Sequence, residues 1–484
     1  MRTSAAKYGP AVRLSRPGSG GGTSGKEKLR SAGAMDMTHG PLLGKILIFA
    51  LPLMASNLLQ LLFNTADIVV VGRWAGHASL AAVGSTACII NLVINLLVGI
   101  SVGVNVVIAR YLGETGREEE ISKALHTALL IGIVGGTLLG LGGIAASGWM
   151  LDLISAPADV RPLALVYIRI YFIGTPFMMV YNYGAAALRA EGDTRRPLLF
   201  LTVSGTLNVI LNLFFVIALR MDVAGVALAT IISQGLSAGL VLACLAFFKG
   251  ELRFSFRRLR IDSWSLKAMA RVGIPAGVQG CLFSLSNVAL QGAINSYDSI
   301  VVAGYSAGAS IENFLYISMN AFHHACQTFT SQNLGARQHK RIFKTVRLCL
   351  LCTLVLGIAQ SAAVSAFARP LVSIYNNDPA VIQAGAERIW TVVPFYVIFG
   401  MADVLVGAIR GCGSPVIPVA VNLMATCVLR LLWVHFLDTS VVNVAWVYAS
   451  YPASWTALLM TLTVFWLFKR KKLRAEMNPD EEEL

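Results

Sequence analysis

The stretch Leu188-Arg189-Ala190-Glu191-Gly192 returns 221 residues later as Ile409-Arg410-Gly411-Cys412-Gly413, and Pro197 returns at the same offset as Pro418. Two more landmarks keep step. Pro52 in Leu51-Pro52 pairs with Pro275 in Ile274-Pro275 at an offset of 223, and Leu112-Gly113 pairs with Leu334-Gly335 at 222. Four landmarks holding one offset within two residues mark a duplicated unit. Composition says what that unit is. The 484 residues are 56% hydrophobic and 13% charged, with a mean hydropathy of +0.68, where a soluble domain carries about 25% charged residues. Long apolar runs with short polar breaks exclude a water-soluble enzyme, a disordered chain and a secreted disulfide scaffold. The chain reads as a polytopic membrane protein.

A membrane-crossing helix takes about 20 apolar residues. Such runs fall at 45–71, 79–109, 124–148, 163–187, 198–219 and 225–248, and again at 272–296, 300–332, 348–368, 389–409, 416–437 and 442–468. Six spans per copy is an even number, so both copies cross in the same sense. The expected fold is all-α, with 12 transmembrane helices in two parallel six-helix repeats, a transporter plan that puts the substrate path between the halves. The expected divisions are a disordered cytoplasmic tail over 1–40, a first lobe over 41–248, a cytoplasmic connector over 249–271, a second lobe over 272–468 and a cytoplasmic tail over 469–484. The connector, with Arg257-Arg258-Leu259-Arg260, reads as a linker rather than part of a core. No apolar h-region precedes Ile46, so no cleaved leader is expected.

The net charge of +14 is explained by orientation rather than by nucleic acid. Of the 39 Lys and Arg residues, 32 fall in the two tails and the even-numbered loops with their helix ends, which places both termini in the cytoplasm by the positive-inside rule. The eight cysteines lie nearly all in apolar stretches, and Cys349-x-x-Cys352 has no partner pair, so they read as packing residues and not as a metal or redox site.

Charged side chains at membrane depth are costly and become functional candidates. Asp67 lies late in the first span, Glu312 well inside the eighth and Asp403 within the tenth. A helix-end role for Asp67 and structural hydrogen bonds for Glu312 and Asp403 are the alternatives. Asn208 and Asn212, four apart, share one face of the fifth span, as a site or as helix-helix glue. His323, His324, Arg430 and His435 are further polar groups in apolar runs; adjacent histidines project about 100° apart on a helix, which disfavours a shared metal. Gly132, Gly136 and Gly140 suit close helix packing, and Pro52, Pro176, Pro275 and Pro394 suit kinks. No G-x-x-x-x-G-K-[ST], G-x-S-x-G or H-E-x-x-H motif occurs. The chain is therefore read as a non-enzyme, passive or driven by an ion gradient.

Ala66-Asp67-Ile68-Val69-Val70-Val71-Gly72-Arg73, the R-x-x-G-D-T-x-x-P pattern over 189–197, its echo Ile409–Pro415 and Tyr451-Pro452-Ala453-Ser454-Trp455 resemble the multidrug and toxic compound extrusion (MATE) family. The resemblance covers essentially all of residues 41–470. It implies two lobes around a V-shaped cavity, and a monomer in the cell membrane that exports cationic or amphipathic drugs or metabolites against inward flow of protons or sodium, with no cofactor. It also implies a coupling role for Asp67 and a first-lobe site containing Asn208 and Thr230. Asn212 stands where many members carry an aspartate, and the stretch from Gln279 lacks the acid of some sodium-coupled members. Asp403 sits roughly one turn closer to Arg410 than in those members. Amide oxygens supply dipoles but no net charge, so a lone Asp67 carboxylate favours proton coupling. The alternatives are sodium held by Asp67, Asn208, Asn212 and Thr230, or an ion at Glu312 or Asp403. The runner-up function is a flippase for lipid-linked saccharides of the same plan, which calls for a cationic cavity where only Arg430 is deeply placed. An integral-membrane enzyme would need a clustered catalytic set, which is not found.

The charge count makes a topological prediction. Single cysteines in the Arg73–His77 loop should be labelled from outside intact cells by an impermeant maleimide, and cysteines at residues 30 and 470 should be spared. Labelling of the tails would reverse the orientation.

Overall fold

A computed structural model describes residues 35–154, 157–248, 250–436 and 443–477; the expected tail over 1–34 and the end of the C-terminal tail lie outside the described residues. The first repeat consists of α1 (Leu42–Val70), α2 (His77–Gly113), α3 (Glu118–Leu153), α4 (Arg161–Ile173), α5 (Thr175–Ala190), α6 (Arg195–Leu213) and α7 (Asp222–Ala246). The second consists of α8 (Ser263–Ile294), α9 (Ser299–Gly335), α10 (His339–Ala366), the short α11 (Ala368–Ser373), α12 (Pro379–Val392), α13 (Tyr396–Gly411), α14 (Val416–Asn422), α15 (Leu429–His435) and α16 (Val444–Ala475). Helices α4 and α5 form one span bent by 45° at Gly174. A 3₁₀ turn, Val393–Phe395, joins α12 to α13, and a π turn, Leu423–Val428, joins α14 to α15. Among the described residues each repeat thus contributes six spans, the bent α4–α5 pair taken as one, which matches the twelve expected from the sequence.

The helices overrun their apolar cores. Helix α8 begins at Ser263 and not near 272, α10 at His339 and not near 348, and α16 runs on to Ala475. The backbone ladder continues past the hydrocarbon because Lys and Arg are good helix formers. Proline marks the interruptions as expected. Pro176 opens α5 just after the bend, where its missing N–H costs nothing, and Pro394 sits inside the 3₁₀ turn. Pro52 and Pro275 lie inside α1 and α8.

Those two prolines stand where each helix changes partners. Ile46, Phe49 and Leu53 of α1 are buried in the core of the second repeat, with Phe49 edge-on to Phe329 of α9 at 5.8 Å between ring centres. Beyond Pro52, α1 packs against α6. Helix α8 mirrors this, with Met269 joining the core of the first repeat and Val272 and Ala276 packing with Val102 and Val106 of α2. Each lobe therefore borrows the first half of the other repeat's opening helix.

The seam between the lobes is made by glycine. Gly99 and Gly277 meet backbone to backbone, and a Cβ on Gly103 would fall 2.9 Å from the Gly273 nitrogen. Gly113 faces the Gln332 carbonyl while Gly335 faces the Arg110 carbonyl, one contact repeated across the pseudo-two-fold. Within the first lobe Gly136 and Gly140 bring α3 against Pro176 and Phe172, the packing role expected of them.

Two of the expected divisions carry contacts that the sequence did not show. The 249–271 connector is not merely a linker. Leu252 and Phe254 are buried in the first lobe's core, Phe254 stacks on His126, and Ser255 N donates to His126 Nε2 at 3.0 Å. Its Asp262 caps α8 by accepting from the Ser265 amide and hydroxyl, and those bonds hold its carboxyl below the usual range. Residues 35–40, expected to be disordered, are also docked. Arg341 of α10 donates to the carbonyls of Met37, His39 and Gly40 at 2.8–2.9 Å, and Met37 is fully buried. Alternating polarity concealed both anchors, because one or two apolar residues suffice.

Filling the seam should cost stability. Gly113→Val and Gly335→Val should each lose about 1–3 kcal/mol by overpacking, seen as a lower Tm in detergent. Gly142→Ala, whose Cβ would meet nothing within 4 Å, should not.

Candidate functional site

Late in α1, Asp67 packs toward α6, which brings Asn208 and Asn212 on one face. The Asn212 side-chain amide donates to the Asp67 carboxylate and, with its other hydrogen, to Asn208 Oδ1 at 3.3 Å. Asn212 is fully buried and Asn208 nearly so. The Asn212 Oδ1 has no partner among the described residues. Both helices widen immediately afterwards, α1 into a π turn at Val71–Ala75 and α6 into one at Phe214–Ala218. Such turns are rare and gather at functional sites. Thr230 of α7 donates to its own Val226 carbonyl at 2.9 Å, and no hydrogen bond links it to Asp67 among the described residues. Tyr167 and Tyr171 of α4 set their ring centres 6.4 Å apart, and the Tyr171 hydroxyl donates to Met178 Sδ at 3.9 Å. Sequence reading passed over these two tyrosines. The available signal was the four-residue spacing of two tyrosines, which puts both on one helix face.

The two second-lobe acids are elsewhere and already engaged. Glu312 of α9 accepts Arg388 Nε at 2.8 Å on one oxygen and Nη2 at 2.9 Å on the other. Both residues are buried, and the Arg388 guanidinium lies 3.8 Å from the Tyr305 ring centre. This is the two-pronged geometry of the strongest ion pairs. The tenth span read from sequence began at 389, one residue too late to include Arg388. Asp403 of α13 accepts from Asn320 Nδ2 at 3.2 Å and lies 3.1 Å from His323 Nδ1, which also bonds the Asp403 carbonyl at 2.7 Å. Glu312 and Asp403 thus make the hydrogen bonds to neighbouring helices that the sequence left open. Arg410 donates to Gln279, the residue that heads the stretch where an acid is missing.

Two repeats of six spans, joined along a glycine seam and carrying one acid between α1 and α6, define a two-lobe membrane transporter. A family model described as MatE matches residues 52–214 and 275–434, once in each repeat, and the chain belongs to this family. It is 27% identical over 400 residues to the probable multidrug resistance protein YpnP of Bacillus subtilis, covering 82% of this chain and 88% of that one. It is 26% identical over 437 residues to a FAD transporter of Shewanella oneidensis, covering 88% and 95%. Among solved structures, it resembles one titled as the outward-facing conformation of a multidrug resistance MATE family transporter, at a TM-score of 0.84 and 20% identity over 92% of this chain and 99% of that one; this likeness bears on the fold alone. The chain is a multi-pass membrane transporter and not an enzyme.

The buried ion pair predicts its own test. Removing one partner leaves an uncompensated charge, which costs about 3–5 kcal/mol. Glu312→Gln and Arg388→Met should each destabilise the purified protein strongly. The double variant should recover most of that loss, as read by Tm in a double-mutant cycle.

Proposed function

We propose that the chain is a proton-coupled exporter of amphipathic small molecules in which Asp67 carries the coupling proton. The observation that supports this most is the Asp67–Asn212 bond between α1 and α6. A carboxylate given a neutral amide neighbour must meet the cation with its own single charge. The amide also presents an N–H to the carboxylate, using a lone pair that a metal cation would otherwise take. Proton transfer asks less of the site, since a proton needs one oxygen and no coordination shell. The alternating π turns and the proline of α1 supply segments where a change at Asp67 can alter the helix path.

Sodium held by Asp67 with the oxygens of Asn208, Asn212 and Thr230 is the competing reading. An ion at Glu312 or Asp403 is less favoured, because Arg388 occupies both oxygens of the first and Asn320 and His323 engage the second. Both termini are proposed to lie in the cytoplasm, so the proton enters from outside as cargo leaves. The multidrug names of the relatives support drug-like cargo, and the FAD transporter name keeps a metabolite among the candidates. A lipid-linked saccharide flippase is the runner-up. Its expected cationic cavity has more support than the sequence suggested, since Arg410 is buried as well as Arg430, while Arg388 is neutralised by Glu312.

In proteoliposomes, an imposed proton gradient should drive uptake of a cationic dye and a sodium gradient alone should not. Asp67→Asn should abolish dye uptake into everted vesicles at unchanged protein level. Wild-type transport by that variant would make Asp67 structural, and sodium-only drive would overturn the proton reading.

A further inference from the structure

The first-lobe site has a counterpart in the second lobe, with its charge reversed. Val223-Ala224-x-Val226 returns as Val444-Ala445-x-Val447, 221 residues on, which sets Thr230 opposite Tyr451 and Gln234 opposite Trp455. Pro197 and Pro418 hold the same offset. The π turn Leu423–Val428 then admits one extra residue, so Asn208 falls opposite Arg430.

Arg430 is 1% exposed. Its Nη2 donates to Ser454 Oγ at 2.9 Å and its Nη1 reaches Asn287 Oδ1 at 3.5 Å, while its guanidinium carbon lies 4.4 Å from the Tyr451 ring centre. No carboxylate pairs with it among the described residues. Arg388 lies 5.3 Å from the same ring and is neutralised by Glu312. Two guanidiniums and one carboxylate leave one surplus positive charge in a buried cluster.

The hydrogen-bond account points the same way. Arg430 Nε, Arg388 Nη1, Trp455 Nε1 and the Tyr448 hydroxyl are all buried and have no partner among the described residues. Three of the four can only donate. Native proteins leave few buried donors unpaired, and a buried charge without a counter-ion is costly. Water could satisfy the donors but not the charge. An acceptor carrying negative charge satisfies both. The surroundings are aromatic, with Tyr305, Tyr396 and Phe399 ringing Tyr451 and Trp455.

We propose that this second-lobe cluster binds an aromatic organic anion, with its carboxylate, sulfonate or phosphate on Arg430 and Ser454 and its ring among Tyr305, Tyr451 and Trp455. Arginine suits such groups because its planar fork matches their oxygens and its charge is permanent. The lobes then divide the work: the acidic first lobe takes the coupling cation and the basic second lobe takes the anionic part of the cargo. The cargo role rests on the export reading above; the binding site does not.

The test uses the full-length protein in detergent and two dyes on one xanthene framework, anionic fluorescein and cationic rhodamine 123, followed by fluorescence anisotropy. Fluorescein should bind saturably. Arg430→Gln should weaken it about tenfold or more, in line with the loss of a charge-assisted hydrogen bond, and leave rhodamine 123 unchanged. Arg430→Lys should weaken fluorescein less. Asp67→Asn should bind fluorescein like wild type, even where it has lost transport, which keeps this site distinct from the coupling reading. Absence of saturable fluorescein binding, equal affinity in wild type and Arg430→Gln, or equal weakening of both dyes would overturn the proposal. If Arg430→Gln does not fold, Arg430→Lys decides: an unchanged fluorescein affinity overturns it, and selective weakening supports it.

Discussion

Backbone-to-backbone approach of α2 with α8 and α9 is the constraint on which the rest of the molecule depends. In lipid, apolar side chains gain little by leaving hydrocarbon for one another, so helices associate by close packing and polar contacts. Glycines at 99, 103 and 113 of α2 and at 273, 277 and 335 opposite provide that packing. Polar contacts finish it: Asn105 Oδ1 accepts from Thr328 at 2.9 Å, Ser331 donates to the Val106 carbonyl at 2.7 Å, and Gln332 donates to the Ala190 carbonyl at 3.1 Å.

The exchange of opening helices ties the lobes to that seam. The first half of α1 is core to the second lobe, and its second half carries Asp67 into the first. An event at Asp67 is therefore mechanically connected to the opposite lobe through one continuous helix with Pro52 between. Helix α8 repeats the arrangement with Pro275, but its second half meets Arg430 through Asn287 and not an acid. The duplicated backbone thus places two corresponding polar clusters, one holding the Asp67 carboxylate and the other the Arg430 guanidinium.

Charge is distributed unevenly between those clusters. Asp67 has a neutral amide for a partner, whereas Glu312 has a fork of two charge-assisted bonds. A carboxylate held that firmly by arginine is poorly placed to exchange a cation, while one held by an amide keeps its charge available. The same reasoning separates the arginines: among the described residues Arg388 has a carboxylate partner and Arg430 has none. Asp67 is half-buried, whereas Glu312, Arg388 and Arg430 are all buried, and burial depth does not distinguish those three. Their partners do.

The sequence by itself determined the twelve spans, the duplication and the parallel sense of the two halves, because hydrocarbon demands long apolar helices and six is even. It also determined that Asp67, Asn208 and Asn212 were worth joining, since a submerged acid and two amides on one face are expensive to place without purpose. Only the tertiary structure decided which polar groups meet. Arg388 chooses Glu312 across 76 residues, Asn212 chooses Asp67 across 145, and Arg430 meets no acid among the described residues. The anchoring of residues 35–40 and 252–254 was equally hidden. Periodicity reports which face of a helix is apolar, but partner choice depends on how two helices are rotated and how closely glycine lets them approach, and that is settled only when all twelve pack together.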